Sequence, residues 1–267
     1  MSSLDFLRTR RDELATRVSG QKTFNILAYG YVGTGKTSLI ATARRPIYIY
    51  SFDPGGTKLK VLDNLVDSGD AVLDTEYEIE DIKSPSAMRN FDNTHSKMKS
   101  NNAYAALGTV AIDSLTMMAD AAMNFILKRE GRPGTVPQIQ DYLVQQTMLA
   151  QIFREFCSLP CDFILTGHID TMRDEVTGKI ITSLLVPGKL STKVPALFDE
   201  VLITELTMDA KKNPVYSVRL VGDAKYKTST RRFSGEGFEP YEIPDIMRLR
   251  EKAGYPAEHL PNLKEKD

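Results

Sequence analysis

Apolar residues fall into two spacings along the chain. Leu4, Leu7, Leu14 and Val18 recur at helical spacing over residues 4–18, and Gly20 ends the run. "FNILAY" (24–29), "PIYIYSF" (46–52), "GTVAID" (108–113) and "CDFILTGHID" (161–170) are short apolar or alternating runs bounded by polar or turn residues, the mark of buried strands. Between them stand helix-compatible stretches: "KTSLIATAR" (36–44), "TKLKVLDNLV" (57–66), the polar 84–100, 114–130 and 139–159. "AVLDTEYEI" (71–79) predicts an edge strand. "GRPGTVPQ" (131–138), with two glycines and two prolines, predicts a loop, and 171–188 a hairpin or flexible excursion around Thr177-Gly178. "DEVLITELTM", "NPVYSVRLVG" and "AKYKTSTRRF" are three further strand candidates, followed by a short helix in 244–254 and a polar tail.

Strands alternating with helices, then strands in succession, predict one α/β domain with a mainly parallel central sheet and an antiparallel C-terminal extension. The boundaries read as an N-terminal helix at 1–20, a core at 21–240 and a C-terminal helix and tail at 241–267. The helix at 4–18 has two readings, packing on its own domain or contact between protomers. At 267 residues, 42% hydrophobic and 26% charged, the chain can bury a sizeable core. A formal charge of −1 excludes a global basic field, so any nucleic-acid site must be local. Cys157 and Cys161 match neither a zinc module nor a disulfide scaffold and read as buried thiols in a reducing compartment. No signal peptide and no membrane-length apolar run is seen, which predicts a cytoplasmic protein without a membrane partner.

The chemistry begins at "YGYVGTGKTSLI" (29–40). Gly30, Gly35, Lys36 and Thr37 meet G-x-x-x-x-G-K-[ST] between a strand and a helix, the context this motif requires. Gly30, Val32, Gly33, Thr34, Gly35, Lys36, Thr37 and Ser38 form the expected nucleotide contacts. Glycines let the backbone turn its N–H groups toward phosphate oxygens, and the helix offers its positive end. Lys36 is expected to reach the β- and γ-phosphates, and Thr37 to hold Mg²⁺. A chance glycine-rich turn of this pattern would occur in about one chain in 100 of this length, and the flanking elements lower that further.

Mg²⁺ requires a second ligand. Asp113, ending "TVAID", is expected to supply it at the carboxyl edge of the sheet; capping the next helix is its other reading, and both can hold. Asp53, after "YIYSF", is the candidate to orient the attacking water, against a turn-initiating Asp before Pro. His168, ending "FILTGH", reads either as a γ-phosphate sensor or as a plain strand-end residue.

"GYVGTGKTS", "YSFDPGG", "TVAIDSLT", "FILTGHID" and "LFDEVLITE", in this order, resemble the RecA-like P-loop ATPases, and most resemble small phage-encoded RecA-like proteins linked to single-strand annealing and homologous recombination. The resemblance covers roughly residues 22–235 by motif spacing. It implies a RecA-like core with the His168 strand between the cradle strand and the Asp113 strand. It also implies ATP and Mg²⁺ as cofactors, single-stranded DNA as partner, a homo-oligomeric ring or filament, and a single-strand-binding protein as a further partner. The position of the family's water-activating Glu matches Asp53, whose shorter side chain implies slow hydrolysis, and the resemblance implies that DNA stimulates it.

The resemblance further implies two DNA-facing loops. One, 128–138, carries Lys128, Arg129 and Arg132; the other, 170–193, carries Arg173, Lys179, Lys189 and Lys193. Without aromatic residues for base stacking, such binding would rest on the backbone and be salt-sensitive; ordinary solvated loops are the other reading. In "AKYKTSTR" the cations Lys225, Lys227 and Arg231 share one face. They read as a solvated edge strand or, by the resemblance, as trans-acting groups for a neighbour's γ-phosphate. Two other functions are a P-loop NTPase acting as a regulatory or assembly switch without DNA, and a small-molecule kinase, for which no Arg-bearing lid is evident.

Overall fold

Every residue of the cradle strand is buried, the signature of a parallel strand covered on both faces. The computed structural model describes residues 3–20, 23–54, 58–173, 175, 178, 180–222, 228–230 and 237–264. In chain order the helices and strands are α1 (Ser3–Gly20), β1 (Ile26–Gly30), α2 (Lys36–Ile40), β2 (Ile47–Ser51), α3 (Lys60–Ser68), β3 (Ala71–Asp74), α4 (Ala87–Ser100), β4 (Thr109–Asp113), α5 (Leu115–Arg129), α6 (Ile139–Phe156), β5 (Asp162–Arg173), β6 (Ile180–Leu184), α7 (Leu190–Lys193), β7 (Glu200–Met208), β8 (Pro214–Arg219), β9 (Ser229–Thr230), β10 (Tyr241–Glu242) and α8 (Ile246–Lys252). The sheet runs β10-β8-β7-β1-β5-β4-β2-β3, with β6 paired to β5 and β9 to β7. From β7 to β3 the pairings are parallel, and β8, β9 and β10 join antiparallel. β5 lies between β1 and β4, so the His168 strand separates the cradle strand from the Asp113 strand.

Alternation along the strands builds two cores. Leu27, Tyr29, Val110, Ile112, Phe163, Leu165, Val201 and Ile203 face one side, covered by α4, α5, α6 and α7. Ile26, Ala28, Ala111, Ile164 and Leu202 face the other, under α2, α3 and α8. The first core holds an aromatic group in which Tyr50, Phe91 and Phe156 meet at 5.0–5.9 Å between ring centroids. Each fully buried side chain of this size contributes about 1.5–3 kcal/mol. This packing holds the carboxyl ends of β1 and β4 in register with the middle of β5, where His168 pairs with Gly30 before the strand runs on to Arg173, and the candidate site stands there.

Several elements differ from the sequence reading. β7, expected among the antiparallel strands, pairs parallel to β1, because residues 185–199 cross a sheet face through α7 before β7 begins. β3 stops at Asp74, where a turn brings Tyr77 inward and its hydroxyl donates to the Asp74 carboxylate. Cys161 is buried, which raises its thiol to about 12, but Cys157 is only half-buried. The C-terminal segment is tethered: Leu260 N–H donates to the Arg45 carbonyl and Leu263 N–H to that of Gly69. Arg250, also buried, donates to both oxygens of Asp162 at the start of β5. On α1, Leu4, Phe6 and Leu7 are exposed.

Candidate functional site

The cradle spans β1 to α2. Gly33 and Gly35 have φ of +80° and +89°, conformations that favour glycine and turn the loop around a central hollow. Gly30 is needed for another reason: a Cβ there would lie 2.2 Å from Thr204 Oγ1 on β7. The loop braces itself through Thr34, whose hydroxyl donates to the Tyr31 carbonyl at 2.8 Å and lies 2.7 Å from Thr204 Oγ1. Lys36 is buried, with Nζ donating to the carbonyls of Gly30 (3.0 Å) and Tyr31 (2.8 Å). Burial lowers its pKa, opposed by the charges of Asp113 and Asp53.

Asp113 ends β4 only 2% exposed. Thr37 Oγ1 donates to its Oδ2 at 2.6 Å, and Thr166 Oγ1, from β5, donates to Oδ1. Burial pushes its carboxyl above the usual range, outweighing both hydroxyls and Lys36. The N-cap of α5 is Ser114, whose hydroxyl accepts from Met117 N–H, so the Asp113 side chain stays directed at the cradle. Asp53 and His168 meet across the same edge, His168 Nε2 standing 3.1 Å from Asp53 Oδ2. His168 also has its own backbone N–H donating to Thr116 Oγ1 at 3.1 Å.

These groups line one cavity of about 760 Å³, with Val32, Gly33, Thr34, Gly35, Lys36, Thr37, Ser38, Asp53, Asp113 and His168 around its polar end. Thr42, Leu59, Tyr216 and Pro244 line it as well. Sequence reasoning missed these four. They come from four separate stretches, and none carries a motif; the one legible cue is an aromatic residue in the "NPVYSVRLVG" strand.

The expected DNA-loop cations are distributed differently. Arg132 forks onto the Asp141 carboxylate at 2.8 and 3.0 Å. That carboxylate also accepts from the Gln138 N–H in the α6 capping box, and Gln138 first, then Arg132, holds Asp141 below the usual range. Lys128 donates to the Pro85 carbonyl at 3.2 Å, and Arg129 pairs with Glu130 at 3.3 Å. Arg173, Lys189 and Lys193 are exposed. Lys179, Lys225, Lys227 and Arg231 lie outside the described residues.

The donor set suits a magnesium nucleotide. Lys36 and the glycine-rich loop offer cationic and N–H donors to phosphate. A hydroxyl and a buried carboxylate meeting at 2.6 Å are hard oxygen ligands for Mg²⁺. Among the described residues no three His, Cys, Asp or Glu side chains form a metal cage, and Mg²⁺ held partly by substrate phosphates needs none. No helix among the described residues is long and apolar enough to cross a membrane.

Among curated proteins none matches the chain. Solved structures similar to it include the flagellar accessory protein FlaH from Methanocaldococcus jannaschii, 13% identical at a TM-score of 0.42, covering 86% of this chain and 89% of that one. A prototypical ATPase from the type III secretion system of pathogenic bacteria is 16% identical at a TM-score of 0.44, covering 72% of this chain and 52% of that one. The ATPase EscN, assembled with its central stalk EscO from enteropathogenic E. coli, is 13% identical at a TM-score of 0.40, covering 71% of this chain and 42% of that one. A family model described as an AAA domain matches residues 22–234. With that match spanning the cradle and the parallel sheet, the chain belongs to this AAA-domain family, and its cradle is the P-loop that the sequence motif specifies.

Proposed function

We propose that the chain is an ATP- and Mg²⁺-dependent ATPase of the small phage-encoded annealing type, which assembles as a homo-oligomer on single-stranded DNA and promotes annealing or homologous recombination. The observation that carries the ATPase part is the convergence of Lys36, Thr37, Asp113, Asp53 and His168 on one cavity. Lys36 Nζ would exchange the carbonyls of Gly30 and Tyr31 for β- and γ-phosphate oxygens. Thr37 and Asp113 would hold Mg²⁺, which when bound neutralises phosphate charge. Asp53 Oδ2 would orient the attacking water, and His168 Nε2, 3.1 Å from that oxygen, would position it and sense the γ-phosphate.

The DNA part rests on the exposed cations Arg173, Lys189 and Lys193 around the β5–β6 hairpin, which leaves the sheet at the same edge as His168. Lys225, Lys227 and Arg231 are the candidates to act on a neighbour's γ-phosphate, and exposed Leu4, Phe6 and Leu7 fit the reading of α1 as a protomer contact. A single-strand-binding protein as a further partner and a host-cytoplasmic setting complete the proposal. A second reading, an NTPase switch that does not bind DNA, is favoured by one observation: Lys128, Arg129 and Arg132 are all engaged within the protein. Measuring ATP turnover with and without single-stranded DNA, at low and at raised salt, separates the two. DNA stimulation that fades with salt supports the first; turnover indifferent to DNA, with no DNA retained at low salt, supports the second.

A further inference from the structure

The apolar end of the cavity has a chemistry of its own. Tyr216 stands on β8, opposite Leu206 on β7, where this pair of strands runs on past the end of β1 at Gly30. Its ring covers the cradle: a Cβ on Gly35 would lie 3.4 Å from Tyr216 Cδ1. Tyr216 is nonetheless 46% exposed and lines the cavity. Leu59 and Pro244 line the same end and carry no side-chain hydrogen-bonding group. Thr42 does carry one, but its hydroxyl is spent, donating to the Leu39 carbonyl at 2.7 Å and accepting from Ile246 N–H at 2.9 Å. Among the described residues, the carboxylates lining the cavity are Asp53 and Asp113, both at the phosphate end.

We infer that Tyr216 is the stacking platform for the nucleobase, and that the site takes adenine and guanine nucleotides with little discrimination. A phosphate chain in the cradle beneath Tyr216 leaves the base within reach of this ring. Guanine presents N1–H and amino donors that a selective site meets with a carboxylate, and among the described residues no carboxylate side chain lines this end. A site that stacks a base without hydrogen-bonding its edge separates related bases only weakly, whereas one built around hydrogen bonds discriminates strongly. The inference rests on the cradle binding nucleotide phosphates as proposed above.

Calorimetric titration of the full chain with Mg²⁺ and each of ADP, GDP and inorganic tripolyphosphate tests it. Wild-type protein should bind ADP and GDP within about tenfold of each other, the low end of apolar discrimination. Tyr216→Ala should weaken both by on the order of tenfold, the scale of lost base stacking, and leave tripolyphosphate affinity unchanged. Tyr216→Phe, which keeps the ring, should bind all three like wild type. Wild-type ADP affinity in Tyr216→Ala would overturn the platform, and a wild-type preference of more than about tenfold for one base would overturn the lack of discrimination. If wild-type protein fails to bind tripolyphosphate, the phosphate cradle itself is overturned, a result distinct from either.

Discussion

Asp113 offers the sharpest separation of function from stability. Its carboxylate is almost fully buried, and burial raises its pKa despite the hydroxyls of Thr166 and Thr37 and the charge of Lys36. Because the folded value lies above the unfolded one, the stability this group contributes is present below the unfolded pKa and lost as pH rises through the folded one. At neutral pH the ionised carboxylate therefore destabilises the ligand-free fold, by about 1.4 kcal/mol for each pKa unit of elevation. Asp113→Asn removes the charge but keeps the shape, and both threonine hydroxyls can rotate to meet an amide. Exchanging two charge-assisted hydrogen bonds for neutral ones loses about 0.5–1 kcal/mol each, against a desolvation relief of several kcal/mol. The expected net is a gain of about 1–2 kcal/mol without ligand, or roughly 2–4 °C in Tm per kcal/mol for a chain of this size. Turnover should fall on the order of 10²- to 10³-fold, because a ligand of the charge-stabilising metal is lost. Thermal melts at pH 5 and pH 8, with and without Mg²⁺ and nucleotide, paired with a phosphate-release assay, read both effects. The wild-type deficit relative to the variant should shrink at the lower pH. A variant that melts lower than wild type without ligand, or that hydrolyses ATP normally, would refute the reasoning and leave Asp113 a structural residue.

Substitutions at three further positions bear on the same edge and its supports. Lys36→Ala should lose nucleotide affinity on the order of 100-fold, since two charge-assisted contacts disappear; calorimetry with ADP checks it. Asp53→Asn should slow hydrolysis on the order of 10²-fold with ATP binding intact, and Asp53→Glu should hydrolyse at least as fast as wild type; unchanged single-turnover rates in both would move water activation elsewhere. Asp162→Ala removes the carboxylate that the buried Arg250 guanidinium engages and should destabilise the fold by about 3–5 kcal/mol, read by urea denaturation.

Local chemistry made much of this protein legible from its residues alone. The cradle is one contiguous segment whose turn depends on glycines, so Gly33 and Gly35 announce its geometry without knowledge of the rest. Short apolar runs marked β1, β2, β4 and β5 and placed Asp113 at a strand end, because a strand buried in a parallel sheet must be apolar on both faces; His168, read as a strand end, lies midway along β5, which runs on to Arg173 to pair with β6. What depended on pairing between distant segments was not legible. The parallel course of β7 follows from a crossover over one face of the sheet, and the tether of Arg250 to Asp162 joins residues 88 apart in sequence. Arg132 read as a free loop cation until folding set it against Asp141, a carboxylate that its own helix start holds in place. Tyr216 reaches Gly35 only because β8 pairs back along β7 beyond the end of the cradle strand. Local spacing specifies which groups can bind phosphate; only the packing of remote strands decides what lies over them.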